Sequence, residues 1–111
     1  MEIKSKVQFA DEKLKESFYN LKNGDYQEKE LFKFLTQTFE NLEENAFCGI
    51  QIKKKLIPKE YVGKFGITNL WKYDLPKGWR LLYSIIGSEV VVICLVLEWM
   101  NHKDYEKCLR Y

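Results

Sequence analysis

The sequence is poor in the residues that metal sites and disulfide frameworks require. It contains one histidine, His102, and three cysteines that form no C-x-x-C pair, Cys48, Cys94 and Cys108. An odd number of cysteines argues against a disulfide framework. A structural zinc site would need His102 together with all three thiols, and their spacing does not fit one. We therefore predict no metal and no cofactor.

The sequence also lacks a long hydrophobic run. Its longest apolar stretch, Val90 to Leu97, has a glutamate on each side and is far too short to span a bilayer. The N-terminal residues mix charges and lead into no apolar signal segment. These absences predict a reduced, cytoplasmic protein that has no membrane partner.

The residues that are present suffice for one folded domain. The chain of 111 residues is 46% hydrophobic and 31% charged, and it contains seven Phe, seven Tyr and three Trp. This composition excludes a disordered or low-complexity chain. The length fits one compact domain, and we assign residues 1–111 to it.

Positive charge is concentrated in the second half of the chain. Residues 1–45 hold seven lysines against ten carboxylates, whereas residues 46–111 hold eleven cations against six carboxylates. The asymmetry suits a partner rich in phosphate or carboxylate, although surface lysines also serve solubility alone. The only arginines are Arg80 and Arg110, so few positions offer a fork that binds phosphate bidentately. A small basic cluster, which either binds nucleic acid or is simply solvated, lies at Lys53, Lys54 and Lys55.

The first half of the chain predicts a strand followed by a helical hairpin. Ile3 to Phe9 alternates apolar and polar residues, which is typical of a half-buried strand. Apolar residues then recur at helical spacing from Asp11, and Asn23-Gly24 predicts a helix stop at which the glycine adopts a left-handed conformation. Asp25 and Glu28 resemble a capping box, which begins a second helix with the apolar stripe Leu31, Leu35, Thr38/Phe39 and Leu42. Two helices joined by so tight a turn should pack as an antiparallel hairpin.

The middle of the chain is less regular and leads into a sheet. Residues 46–56 are either extended or a loop, and a short turn is possible at Lys59 to Val62. Asn69 to Leu75 and Trp79 to Ile86 predict two strands joined by a turn at Pro76-Lys77-Gly78.

The end of the chain completes an α+β fold. Gly87-Ser88 is a hairpin signal, and Glu89 to Leu97 is apolar on both faces, which suits a central strand covered on both sides. His102 to Tyr111 predicts a short helix. We therefore predict a small, twisted, mostly antiparallel sheet that has the helical hairpin on one face and a short C-terminal helix.

Two stretches of the second half carry a family resemblance. Gly78-Trp79-Arg80-Leu81-Leu82-Tyr83 runs from the predicted turn into the predicted strand Trp79 to Ile86, and the predicted last helix begins His102-Lys103-Asp104-Tyr105. Together they resemble the RelE/ParE superfamily of bacterial and archaeal toxins, which has an aromatic-Arg-Leu-x-Tyr strand and a short ending that bears His, Lys and Tyr. The predicted β-α-α-β-β-β order is also similar to the order of that family.

The resemblance implies the toxin of a type II toxin–antitoxin pair, whose partners are a cognate antitoxin, the ribosome and messenger RNA. Several RelE-like members are metal-independent endoribonucleases, in which the ribose 2′-hydroxyl attacks the adjacent phosphate of ribosome-bound mRNA. The reaction needs a base at the 2′-oxygen, an acid at the leaving 5′-oxygen and positive charge on the phosphoryl oxygens.

The resemblance also implies roles for individual residues. Arg80 matches the arginine that holds the scissile phosphate, His102 and Lys103 stand where other members transfer protons or neutralise charge, and Tyr105 matches the tyrosine that stacks on a base or acts near the 2′-hydroxyl. The residues assigned to RNA binding are Lys72, Lys53, Lys54 and Lys55. We expect Arg80, His102, Lys103 and Tyr105 to converge on one concave face of the sheet.

The sequence departs from the family at one point and leaves alternatives open. Members with strong nuclease activity carry a second arginine ahead of the terminal tyrosine, where this chain has Trp99 to His102 and no arginine. The absence favours a rival function, a non-catalytic protein of the same fold that is either ParE-like and poisons DNA gyrase or an inactive relative. A plain RNA-binding module is a third possibility.

Each candidate residue also has a plain structural explanation. Tyr105 can pack a helix on the sheet, His102 can be an exposed first residue of a helix, and Glu98 can act as a base or simply repel RNA. An Arg80 side chain locked into an internal ion pair would argue against the ribonuclease hypothesis.

Overall fold

The computed structural model describes residues 4–87 and 92–109. Short 3₁₀ turns lie at Lys54–Leu56 and Pro76–Gly78. The other elements within the described residues are β1 (Lys6–Phe9), α1 (Glu12–Leu21), α2 (Tyr26–Glu44), β2 (Ile50–Gln51), α3 (Lys59–Phe65), β3 (Trp71–Asp74), β4 (Arg80–Gly87), β5 (Val92–Met100) and α4 (His102–Leu109).

The strands form one five-stranded sheet in the order β1-β5-β4-β3-β2. β1 runs parallel to β5, and every other neighbouring pair is antiparallel. The predicted α+β class and the mostly antiparallel sheet are therefore confirmed. No helix among the described residues is both long enough and apolar enough to cross a membrane.

The helical hairpin α1–α2 covers the first face of the sheet, as predicted. The apolar stripe of α2 is buried there against residues of β4 and β5, in a core formed by Phe18, Leu31, Leu35, Phe39, Leu42, Ala46, Leu75, Leu81, Tyr83, Cys94 and Val96. The predicted capping box is also confirmed, because the Glu28 amide donates to the Asp25 carboxylate and the Asp25 amide donates to the Glu28 carboxylate. These local bonds fix where α2 begins and therefore how the hairpin lies on the sheet.

The explanation offered for Gly24 is wrong. The positive-φ glycines among the described residues are Gly66 and Gly78, so Gly24 is not left-handed. A Cβ at Gly24 would instead lie 2.7 Å from the Cβ of Glu28 and 2.6 Å from its Cδ. Glycine is required there because the capping side chain of Glu28 approaches the backbone closely.

Helices α3 and α4 cover the second face of the sheet. The turn that the sequence suggests at Lys59 to Val62 is the first part of the longer helix α3, which ends at Gly66 with φ 64°. A seven-residue helix is too short for its periodicity to stand out, and its signals are the flanking Pro58 and Gly66. The core of this face consists of Ile52, Tyr61, Ile67, Leu70, Leu82, Leu97, Met100, Tyr105 and Leu109.

Strand β5 has apolar neighbours on both faces, as its sequence predicts. Its register to β4 shifts at Leu97, because Leu82 pairs with Glu98 whereas Tyr83 pairs with Val96. This bulge changes which later residues of β5 face each side. The predicted turn residue Ser88, together with residues 1–3, 89–91 and 110–111 of the predicted strands and last helix, lies outside the described residues.

Candidate functional site

Four of the sequence-predicted residues meet on the second face of the sheet. Lys72 lies on β3, Arg80 begins β4, and α4 contributes His102 and Tyr105. The alternation of β3 also places Asp74 on this face, and the hairpin register sets Asp74 directly opposite Arg80. We call the group formed by Lys72, Asp74, Arg80, His102 and Tyr105 the Tyr105 platform.

The ring of Tyr105 lies beneath two cations. It is only 2% exposed, with Lys72 Nζ 5.5 Å and Arg80 Cζ 5.8 Å from the ring centroid. Both distances are within the range of cation–π attraction. The ring therefore packs α4 on the sheet, the structural role that the sequence left open for it, and it also holds Lys72 and Arg80 side by side.

The guanidinium of Arg80 has three neighbours. One terminal nitrogen donates to the carbonyl of Trp79 at 3.1 Å, and the other is 3.2 Å from Nδ1 of His102. Arg80 Nε lies 2.9 Å from Oδ1 of Asp74 but is buried and makes no hydrogen bond with any described residue. The contact between Arg80 and Asp74 is therefore an ion pair whose N–H is not aligned with the carboxylate oxygen.

Asp74 bridges the two cations of the platform. Its carboxylate lies 2.9 Å from Arg80 Nε and 3.3 Å from Lys72 Nζ. The side chain of Asp74 is 44% exposed, compared with 20% for Lys72 and 16% for Arg80. The carboxylate of the ion pair is therefore open to water, which screens it, whereas Arg80 Nε is buried.

The contacts of His102 define which ring nitrogen carries its proton. A guanidinium can only donate hydrogen bonds, so Nδ1 of His102 must be the acceptor toward Arg80. The proton is then on Nε2, which lies 2.5 Å from Oε1 of Glu106. The imidazole is consequently held between a carboxylate on one side and a cation on the other, with its unprotonated nitrogen directed into the Tyr105 platform.

The other predicted residues are distributed differently. Lys103 is exposed on α4 and has no hydrogen bond or ion pair with a described residue. Lys53 and Lys55 line a depression of about 490 Å³ together with Lys72, so these three lysines do lie near one another. Lys54 is exposed at the start of the 3₁₀ turn and does not line that depression.

Glu98 lies opposite Leu82 on the second face of the sheet, and its carboxylate contacts Tyr61 rather than a residue of the Tyr105 platform. It accepts a hydrogen bond of 2.5 Å from the hydroxyl of Tyr61, which in turn accepts one from the thiol of Cys108. The cavity beside Glu98 is lined by Asp104 and Lys107, which lie on the side of α4 opposite His102. A role for Glu98 as base at Arg80 does not fit this geometry.

The thiols have little nucleophilic character at neutral pH. Burial raises the pKa of Cys48, Cys94 and Cys108 above the usual value of a thiol. The thiolate is the reactive form of cysteine, so none of these residues is an activated nucleophile. Burial likewise raises the pKa of the Tyr61 hydroxyl, and its hydrogen bonds to Cys108 and Glu98 raise it further.

Two residues of the site were missed by sequence reasoning, and each had a signal. Glu106 follows His102 by four residues in a predicted helix, and side chains at that spacing are neighbours. Asp74 shares a strand face with Lys72, and the turn at 76–78 sets it opposite Arg80. Both signals become visible only after the helix and the hairpin register have been accepted.

The Tyr105 platform is suited to hold an anion. Within the platform, Lys72 and Arg80 outnumber the one carboxylate, Asp74, whereas Glu106, on the far side of the His102 ring, balances the remaining positive charge. Among the described residues, no group of three or more His, Cys, Asp or Glu is placed to hold a metal ion. Comparisons with protein-family models, with curated proteins and with solved structures give no significant match to this chain.

Proposed function

We propose that this protein is a RelE-like toxin that cleaves ribosome-bound mRNA without a metal and is neutralised by a cognate antitoxin. The observation that carries the proposal is the meeting of Lys72 and Arg80 on one buried aromatic ring, with His102 in contact with Arg80. These residues come from two strands and a terminal helix, and two cations beside a histidine are what phosphoryl transfer to a 2′-hydroxyl requires.

In this proposal the scissile phosphate binds to Arg80 and Lys72. Both cations act through their positive charge on the phosphoryl oxygens. Engagement of Arg80 by the phosphate releases Nδ1 of His102 from its present partner. The released nitrogen is then adjacent to the substrate and able to accept a proton.

His102 is the base in the proposed reaction. Nδ1 takes the proton of the 2′-hydroxyl, the 2′-oxygen forms a bond to phosphorus, and the bond from phosphorus to the 5′-oxygen breaks. The leaving 5′-oxygen takes a proton from a water molecule, and the resulting hydroxide takes the proton that His102 holds, which restores the neutral imidazole. The product carries a cyclic phosphate. Glu106 stabilises the imidazolium through Nε2, whereas Lys103 neutralises charge on the RNA backbone outside the platform.

The state of Arg80 favours a second candidate function. Its guanidinium already has Asp74, His102 and the Trp79 carbonyl as neighbours, and Tyr105 is too buried to stack on a base without moving. A non-catalytic relative of the same fold, such as a ParE-like inhibitor of gyrase, has no need of a free arginine. This candidate predicts no RNA cleavage.

Substitution of Arg80 tests the proposed function. We expect the wild-type protein to arrest growth when expressed in a bacterial host, and to cut mRNA in the A site of programmed ribosomes. Arg80→Ala should reduce cleavage at least about a hundredfold, because a charge-assisted contact made in the transition state is lost. Arg80→Lys should restore part of the activity, because it keeps the charge but not the fork.

A matched control separates this effect from a general loss of positive charge. Lys33 is an exposed cation of α2, on the opposite side of the sheet, and Lys33→Ala should cleave like the wild type. Circular dichroism at increasing temperature establishes that the Arg80 variants are folded. Absence of cleavage by the wild type would overturn the nuclease proposal in favour of the non-catalytic candidate.

A further inference from the structure

We propose that Asp74 is an internal competitor for the anion site, so that the protein binds RNA only by displacing its own carboxylate. The inference rests on the proposed function for the identity of the anion, a phosphodiester of single-stranded RNA. It assigns to Asp74 a regulatory role at the Tyr105 platform.

The position of Asp74 is that of a bound anion. Its carboxylate contacts both cations of the platform, with 2.9 Å to Arg80 Nε and 3.3 Å to Lys72 Nζ. A phosphate that engages Lys72 and Arg80 together must occupy the same space. Phosphate and the Asp74 carboxylate therefore exclude each other.

The ion pair between Asp74 and Arg80 is incomplete. Arg80 Nε–H is buried and makes no hydrogen bond with any described residue, although the carboxylate lies close to it. A buried donor without a partner costs free energy that a suitable acceptor recovers. A phosphate oxygen placed in line with this N–H would gain an interaction that Asp74 does not make.

Asp74 is the exposed partner of its ion pairs with the two cations. It is the last residue of β3, and its side chain is 44% exposed, compared with 20% for Lys72 and 16% for Arg80. In the proposed competition, rotation of this one short side chain uncovers the site while the cations stay over the ring of Tyr105. The ion pair that must break is open to water on its carboxylate side, where water weakens it.

The competition favours a polyanion over free phosphate. A single phosphate exchanges one anion for another and gains little. An RNA strand brings further phosphates, which Lys53 and Lys55 beside Lys72 are placed to contact. Competition by Asp74 thus weakens the affinity of the site for any anion, whereas the cations that bind the anion stay the same.

Neutralisation of Asp74 tests this inference. The probe is a short fluorescent 2′-O-methyl oligoribonucleotide, which has no free 2′-hydroxyl and cannot be cleaved. At low salt, we expect Asp74→Asn to bind this probe roughly tenfold more tightly than the wild type, because one competing charge is removed from the site. Fluorescence anisotropy measures the dissociation constants.

The control variant removes the same charge elsewhere. Glu40 is exposed on α2, on the opposite face of the sheet, and Glu40→Gln should change the affinity less than about twofold. The double variant Asp74→Asn/Arg80→Ala should lose the gain. Equal affinities of the Asp74→Asn and Glu40→Gln variants, or weaker binding by Asp74→Asn, would overturn the inference.

A second substitution and an NMR measurement on the wild type test the competition independently of the Asp74→Asn variant. Asp74→Ser repeats the test with a side chain that cannot imitate the carboxylate. In the wild type, saturation with the probe should shift the ¹³C resonance of the Asp74 carboxyl carbon, and an unchanged resonance would overturn the inference. Tighter probe binding by Asp74→Asn without any cleavage of ribosome-bound mRNA would contradict the proposed function alone.

Discussion

At the scale of single residues, Asn69 shows how one side chain extends the sheet. Its amide accepts from the backbone N–H of Ile85 at 2.8 Å and donates to the carbonyl of Ile85 at 2.9 Å. The hydroxyl of Ser84 donates to the backbone carbonyl of Asn69 at 2.8 Å. The side chain thus imitates a peptide group two residues before β3 begins at Trp71.

We expect Asn69→Ala to lower the free energy of unfolding by about 2 kcal/mol, because it leaves polar groups of a partly buried strand without partners. Asn69→Asp should cost at least as much, because it keeps the acceptor for the Ile85 amide but turns a carboxylate oxygen toward the carbonyl oxygen of Ile85. Urea unfolding followed by circular dichroism measures both values. If Asn69→Ala lowers the free energy of unfolding by less than about 0.5 kcal/mol, water replaces the hydrogen bonds of the Asn69 side chain, and the prediction is wrong.

At the scale of elements, the junction between α1 and α2 depends on a close approach of side chain to backbone. The capping box of α2 directs the Glu28 side chain back over Gly24, where an added Cβ would lie 2.7 Å from the Cβ of Glu28. The helical hairpin that covers the first face of the sheet begins its second helix at this point. Packing of the hairpin and local capping are therefore coupled.

We expect Gly24→Ala to destabilise the protein by about 1–2 kcal/mol, because the new methyl group forces Glu28 out of the capping box. Glu28→Ala alone should cost about 1 kcal/mol through loss of the reciprocal cap. The double variant should cost less than the sum of the two, because Glu28→Ala removes the cap together with the clash at Cδ and Oε2 and leaves only the contact with the Cβ of residue 28. Additive values from urea unfolding would contradict this explanation of Gly24.

The Tyr105 platform is likewise a product of how elements combine. Strand alternation predicts that Arg80 lies on a different face from Trp79 and Leu81, and the structure confirms that Leu81 belongs to the core of the first face. The neighbours of Arg80 follow from the hairpin register and from where α4 lies. No local pattern contains that information, because the whole of β5 lies between β4 and α4 in the chain.

At the scale of the whole molecule, burial of phenols and thiols links stability to pH. Burial raises the pKa of Tyr61 and Tyr83 above the ordinary tyrosine value of 10.0. Burial also raises the pKa of Cys94 and Cys108 above the ordinary thiol value of 9.0. Between the unfolded and folded pKa values, the folded state binds more protons than the unfolded state, so stability falls as pH rises.

We expect the free energy of unfolding to be nearly constant from about pH 7 to pH 8 and to fall by about 3 kcal/mol or more by pH 11. The stability that these groups contribute is fully present below their unfolded pKa values and is lost as pH rises above them. Urea unfolding at a series of pH values measures the change. Tyr61→Phe should make the alkaline decrease shallower.

The exposed Tyr26 provides the control for this prediction. Tyr26→Phe should leave the alkaline decrease unchanged, because it removes no buried group. A flat profile of the wild-type protein up to pH 11 would contradict the argument. An equal effect of Tyr26→Phe and Tyr61→Phe would contradict the assignment to burial.

The sequence by itself determined the elements whose signals are local. The capping box of Asp25 and Glu28 predicted where α2 begins, helical spacing predicted the buried stripe of α2, and the apolar run of β5 predicted a strand covered on both faces. These features depend on residues a few positions apart. Their hydrogen bonds and their periodicity can therefore be predicted directly from the amino-acid sequence.

Only the tertiary structure decided how distant residues meet. The bulge at Leu97 lies in a run that is apolar on both faces, so no alternation marks it. The pairing of Asp74 with Arg80, the burial of Tyr105 beneath two cations and the separation of Glu98 from Arg80 all depend on strand register and on the seating of α4. Such contacts join segments far apart in the chain, and packing of the whole sheet rather than local preference selects among them.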